Sequence, residues 1–240
     1  MTSANMPTAS SPEPTPAATR ASADDRVGRE SKSFYTFART VVRIVLPLLA
    51  RLRTVNIENV PQSGPVILAV NHIAWVDIPL ASLKVPRVTH YMAKIELFNQ
   101  PVLGGIMRLL GAFPVRRGEG DRESLRISER LLAQDNILVI FPEGHRSGGH
   151  LLKAHPGMSL IALRSGAPVV PVAISGSEQV FKRFRPLITV SYGKPIHLET
   201  SGARRTRDDL AQNTDAIMYH IAELLPPEYR GEYAQLPAGT

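Results

Sequence analysis

A histidine and an aspartate five positions apart, His72 and Asp77, lie in the stretch Asn71-His72-Ile73-Ala74-Trp75-Val76-Asp77, directly after an apolar run. On an ideal helix five positions separate two side chains by about 140°, so the two cannot pair as helix neighbours. They can pair if His72 is still in a loop and Asp77 opens the next helix and reaches back. Pro79, two residues on, suits such a helix start. Asp77 would then accept one imidazole N–H and fix the tautomer. The other ring nitrogen would be free to take a proton from a substrate hydroxyl. The same spacing also fits an aspartate that only caps a helix, beside a histidine satisfied at a sheet edge.

A second group follows another apolar run, in Pro142-Glu143-Gly144-His145-Arg146-Ser147. Proline and glycine mark a sharp turn that exposes what comes next, so Glu143 and Arg146 are either site residues or a turn ion pair. Arg116 and Arg117 end a third run and Lys94 ends a fourth. Forked guanidinium donors suit a phosphate, although surface charge is the plainer reading. Together these strand ends offer a His-Asp pair, a carboxylate and several cations, a plausible site for an anionic substrate that carries a hydroxyl.

Composition narrows the chemistry. With no cysteine among 240 residues, disulfides, thiolate zinc sites and thiol catalysis are excluded. Ser147 lies in His-Arg-Ser-Gly-Gly rather than G-x-S-x-G, and no G-x-x-x-x-G-K-[ST] occurs, which argues against a serine hydrolase and a phosphate-loop NTPase. His145, His150 and His155 are spaced by five in a glycine-containing loop, not a usual ligand pattern, so no metal is expected. Lys and Arg number 28 against 21 Asp and Glu, a formal +7 that favours anionic partners. Nucleic acid would call for aromatic residues interleaved with basic ones; aromatics are 6% and no such patch stands out, so none is expected.

The elements that must position these residues alternate. Short β-rich apolar runs at 65–70, 88–93, 112–116, 136–141, 167–174 and 187–192 read as strands. Stretches at 77–84, 99–110, 122–134, 157–165 and 206–225 read as helices, the third with Asp121 as N-cap. Several strands are continuously apolar, as strands buried on both faces must be. The expected fold is α/β, a largely parallel central sheet flanked by helices, with ligands beyond the carboxyl ends of the strands.

Residues 1–33 are rich in Ser, Thr, Pro and Ala without apolar periodicity and are expected to be a disordered tail, with no secretory signal. Residues 34–55 read as an amphipathic membrane-associating helix. Its apolar stripe would lie in the acyl boundary, with Arg39, Arg43, Arg51 and Arg53 near lipid phosphates. Spanning a bilayer is disfavoured by the central arginines. The alternative is a helix packing that stripe on the core. Residues 56–240 would form a single domain, peripheral on the cytoplasmic face of the membrane.

Four ordered blocks carry a family resemblance over roughly residues 55–200: NHIAWVD (71–77), GAFPVRR (111–117), FPEGHRS (141–147) and VPVAISG (170–176). They resemble the glycerolipid acyltransferases typified by 1-acylglycerol-3-phosphate (lysophosphatidic acid) acyltransferase. The resemblance implies His72 as general base and Asp77 as its orienting partner. It implies an acceptor glycerol-phosphate site from Arg117, Glu143, Gly144 and Arg146, with Lys94. It further implies acyl transfer from acyl-CoA or acyl-carrier protein to the sn-2 hydroxyl of lysophosphatidic acid at a phospholipid surface, with no cofactor. Another lysolipid, such as a lyso-ornithine lipid, is the alternative acceptor. Ala74 stands where the family commonly has Ser, and His145 where Thr is usual; both departures bear on the acceptor rather than on the chemistry.

Overall fold

The computed structural model describes residues 31–115, 121–199 and 206–236. All but three residues of the expected disordered tail lie outside them, as do Arg116 and Arg117. Seven strands form one sheet: β1 (Arg51–Val55), β2 (Val66–Val70), β3 (Thr89–Lys94), β4 (Ala112–Val115), β5 (Ile137–Ile140), β6 (Val169–Ser175) and β7 (Leu187–Tyr192), in the order β1-β7-β6-β2-β5-β3-β4. Neighbours pair in parallel except β6 and β7, which are antiparallel. The central strands β2 and β5 are buried along their whole length, which is why their sequences, VILAV and ILVI, are apolar without alternation.

Helices cover both faces. On one lie α1 (Lys32–Leu49), α2 (Asp77–Leu80), α3 (Ile95–Phe98) and α4 (Pro101–Leu109). Leu46, Leu80, Phe98 and Met107 pack there against Leu68, Val139 and Val172. On the other lie α5 (Arg122–Ala133), α6 (Gly157–Ser165) and α7 (Arg207–Glu223), with Ile127, Leu131, Ile161, Met218 and Ile221 against Ile67, Leu138 and Val169. Each fully buried Val, Leu or Ile side chain of these layers stabilises by roughly 1.5–3 kcal/mol relative to exposure. As expected, Asp121 caps α5, accepting the N–H groups of Glu123 and Ser124 at 3.1 and 3.2 Å.

The segment expected as one helix over 34–55 divides. α1 runs through Pro47 and ends at Leu49; Arg51–Val55 is the edge strand β1, parallel to β7 from Arg51 opposite Leu187. The sheet therefore begins at residue 51. Arg-Leu-Arg-Thr-Val alternates with period two, the pattern of a half-covered strand, and only its contact with β7 separates it from the helix before it.

The helix docks by the side that carries Arg39 and Arg43, and not by the apolar stripe of the core-packing alternative. Tyr35, Leu46 and Ala50 are buried; Tyr35 shares a 2.9 Å hydroxyl bond with Thr89. Arg39 and Arg43 do not reach outward as expected: they donate to the main-chain carbonyls of Val85 (2.9 Å) and Leu83 (3.0 Å). Those carbonyls follow α2, and the two arginines satisfy them. Phe37, Val41, Ile44, Val45 and Leu48 are left facing out.

Candidate active site

The carboxyl ends of the adjacent strands β2 and β5 bring the two motif loops together. Asn71 sets the exit from β2. Its side-chain amide donates to the Ile174 carbonyl at 2.9 Å, and its oxygen accepts the Ile174 N–H at 2.7 Å. This adds one more rung between β2 and β6 past the end of the parallel ladder and locks where the loop starts. The chain then turns through His72 to Asp77, the first residue of α2.

His72 and Asp77 are in contact. Nδ1–H of the imidazole donates to Asp77 Oδ2 at 3.1 Å. The same oxygen accepts the main-chain N–H groups of Ile73 and Ala74, both at 2.6 Å. Asp77 is fully buried, so three donors converge on one carboxylate oxygen and fix both the loop and the ring. Asp77 thus orients the imidazole and braces the loop before α2, and makes no side-chain cap bond to the helix it opens. Because Ala74 contributes through its main chain, the absence of a serine hydroxyl there leaves this contact intact. The ring also stacks on Phe141, centroids 4.2 Å apart, and its Nε2 has no partner among the described residues.

Glu143 departs from its expected position on the acceptor. The carboxylate is fully buried and tied to main chain on both sides: Oε1 accepts the N–H of His72 at 2.7 Å, and Oε2 accepts that of Leu152 at 3.0 Å. It is a clamp between the loop after β2 and the loop after β5. A further bond, Ser147 N–H to the His72 carbonyl at 2.8 Å, joins the same loops. Burial is the main cause that pushes the Glu143 carboxyl up to about 7, the nearby Asp77 adding to it and the two N–H donors opposing it.

Gly144 makes the turn. It sits at φ +71°, and a Cβ there would come within 3.0 Å of the His155 ring, so both conformation and space call for glycine. Arg146 is exposed and lies over the Trp75 ring, 3.9 Å from the centroid. Trp75, the single tryptophan of the chain, is 61% exposed. A side chain of this size left open at the mouth of a loop, with a guanidinium already on one face, is a preformed cationic rim. Lys94 is exposed at the carboxyl end of β3, one strand beyond β5 on the same sheet edge. Arg117 lies outside the described residues. His145, His150 and His155 form no metal-binding group with one another or with acidic residues among the described residues.

Sequence reasoning missed Asn71, Phe141 and Trp75. Asn71 and Trp75 lie inside the first motif and Phe141 opens the third, so the signal was the motif itself, which says that a residue matters without saying what it touches.

This arrangement is a base held by a carboxylate, on an edge lined with cations. The family model described as acyltransferase matches residues 51–175. A 1-acyl-sn-glycerol-3-phosphate acyltransferase of Bacillus subtilis (strain 168) is 31% identical over 195 residues, 79% of this chain and 96% of that relative. A lyso-ornithine lipid O-acyltransferase of Pseudomonas aeruginosa is 36% identical over 124 residues, 50% of this chain and 47% of that protein. In fold, the chain is similar to the crystal structure of the 1-acyl-sn-glycerophosphate (LPA) acyltransferase PlsC from Thermotoga maritima. The TM-score is 0.60 with 24% identity, covering 79% of each chain. A model spanning more than half of the sequence and a relative matched over nearly its whole length agree: the chain belongs to the acyltransferase family.

Proposed function

We propose that this protein transfers a fatty acyl group from an acyl thioester, acyl-CoA or acyl-carrier protein, to the sn-2 hydroxyl of 1-acylglycerol-3-phosphate, giving phosphatidic acid. The observation that carries the reading is the 3.1 Å contact of His72 Nδ1 with Asp77, which leaves Nε2 as the ring's proton acceptor. Nε2 takes the hydroxyl proton as that oxygen attacks the thioester carbonyl. The tetrahedral intermediate collapses, the C–S bond breaks, and the imidazolium returns its proton to the departing thiolate. No acyl-enzyme and no cofactor are required. Arg146, Lys94 and Arg117 are the cations proposed for the acceptor phosphate. Gly144 is proposed to give the loop its turn beneath them, and Glu143 to hold the base in position.

The surface supports a lipid substrate. Every large exposed hydrophobic residue among those described lies on α1, on α4, at Trp75 or in residues 181–187; none lies on α5, α6 or α7. On α4, Val102, Ile106 and Leu109 repeat at helical spacing. No helix among the described residues is long and apolar enough to cross a membrane. In this reading the α1 and α4 side rests in the interface of the cytoplasmic leaflet and the arginines of α1 hold the helix to the protein.

The test is purified protein with labelled acyl-CoA or acyl-carrier protein and a panel of lysolipids, with products identified by mass. Lysophosphatidic acid is expected to be the preferred acceptor. His72→Ala is expected to lower turnover by about 10²- to 10⁴-fold while lysolipid binding persists, and Asp77→Asn to lower it through the wrong tautomer. Near-normal turnover in His72→Ala would refute the mechanism. The Pseudomonas relative motivates one second reading, a lyso-ornithine acceptor; exclusive acylation of that lipid in the panel would favour it.

A further inference from the structure

We infer that the loop 181–186 is a second interfacial anchor, which inserts two phenylalanines into an anionic lipid surface beside the C-terminal end of α1. It consists of Phe181-Lys182-Arg183-Phe184-Arg185-Pro186, between the 3-10 turn Ser177–Gln179 and β7. Five consecutive side chains are exposed, Phe181 at 83% and Phe184 at 92%. The sequence reading, guided by the low overall aromatic content, passed over this short interleaving of aromatic and basic residues.

The exposure does not come from slack. Val180 and Pro186 at the two ends are buried, and the N–H groups of Lys182 and Arg183 both donate to the Gln179 carbonyl, at 2.9 and 3.0 Å. A pinned turn that leaves two phenylalanines in water has a reason to find another phase.

Position and charge identify that phase. β6 runs parallel to β2, so the loop after β6 emerges on the same edge as His72. The Pro186 carbonyl accepts the N–H of Arg51, the second residue after α1, at 2.8 Å. The loop thus continues the outward apolar face that ends at Leu48 and Leu49. Lys182, Arg183 and Arg185 alternate with the phenylalanines, and Arg51 and Arg53 are exposed alongside. Aromatic rings flanked by cations match an acyl boundary beneath anionic head groups. The inference borrows the membrane-facing reading of α1 for its neighbour, and the experiment separates the two.

The chain has no cysteine, so single cysteines can be labelled uniquely. Phe184→Cys on the loop, Ile44→Cys on α1 and Gln134→Cys on the far edge before β5 are each made in the full chain and labelled with an environment-sensitive fluorophore. They are then mixed with vesicles of phosphatidylcholine, with or without phosphatidylglycerol. The expected result is a blue shift with an intensity gain of about threefold at positions 44 and 184 on anionic vesicles, and none at 134. Combining Lys182→Gln, Arg183→Gln and Arg185→Gln should weaken partitioning to anionic vesicles by about 10- to 100-fold. A response at 44 without one at 184 overturns the loop anchor and leaves the α1 reading intact. A response at 184 alone supports the loop and rejects α1; silence at both rejects both. A response at 184 to an acidic carrier protein, to an oligonucleotide or to protein concentration alone, but not to vesicles, overturns the inference in favour of that occupant.

Discussion

The main-chain N–H of His72 donates to the Glu143 carboxylate at 2.7 Å, across 71 positions of sequence. The proposed base is therefore held at two points, its ring by Asp77 and its backbone by a residue of the other motif loop. Glu143 has no exposed surface left with which to meet a substrate. Glu143→Ala is expected to lower kcat by about 10- to 100-fold while the acceptor KM changes by less than about threefold. Steady-state kinetics on mixed micelles would check this. A variant whose damage lay entirely in KM would mean that the carboxylate touches the acceptor after all.

The same burial makes a prediction about pH. The carboxyl, ordinarily at 4.5, is pushed up to about 7 in the folded protein. Between those values the folded chain keeps a proton that the unfolded chain has lost. The contribution of this group is fully present below the ordinary value and fades as pH rises through about 7, a change on the order of 3 kcal/mol. Urea unfolding at a series of pH values should show that decline in the parent protein and a flatter profile in Glu143→Gln. Parallel profiles would contradict it.

Arg146 and Trp75 come from different loops, and the guanidinium lies over the indole at 3.9 Å. Each single substitution, Trp75→Ala or Arg146→Ala, should raise the acceptor KM, and the double variant should do little more than either alone. For a pair this open to water the coupling energy is expected at about 0.5–1 kcal/mol. Additive losses in a double-mutant cycle would show that the two act separately.

Along α1, neighbouring residues should have opposite phenotypes. Ile44 is 66% exposed and Leu46 8%. Ile44→Ser should weaken vesicle binding and leave the thermal midpoint nearly unchanged. Leu46→Ala should cost about 2–5 kcal/mol of stability, with vesicle binding by the folded fraction retained. Flotation assays and thermal unfolding on the same preparations would distinguish them. Equal loss of stability would mean that the outward stripe is packed.

Much of this architecture could be read from residues 66–192 because strands buried on both faces have continuous apolar sequences, such as VILAV and ILVI. The His72–Asp77 pair was legible through the resemblance carried by NHIAWVD: helix geometry only states the condition, a loop followed by Asp77 at the start of α2, under which the two can touch. Other features were not legible. β1 follows α1 after a single residue, with Pro47 inside the last turn as the only sequence signal of the helix end, and it is the pairing with β7 that makes Arg51–Val55 a strand. A helical wheel tells which residues of α1 share a side. It cannot tell that Arg39 and Arg43 find the carbonyls of Val85 and Leu83. Glu143 sits in a Pro-Gly turn whose composition signals exposure, and the two amide donors that draw it inward belong to His72 and Leu152.

The lopsided distribution of large exposed apolar side chains among the described residues, on the α1 and α4 side and the sheet edge it borders, would on the proposed reading change what concentration means for this protein. A molecule seated by that side meets its acceptor by diffusion in two dimensions, and a lysolipid need never enter water to arrive. Turnover would then follow the mole fraction of acceptor in the surface rather than its amount per volume. Diluting the bilayer with inert lipid would slow the enzyme even at constant total substrate.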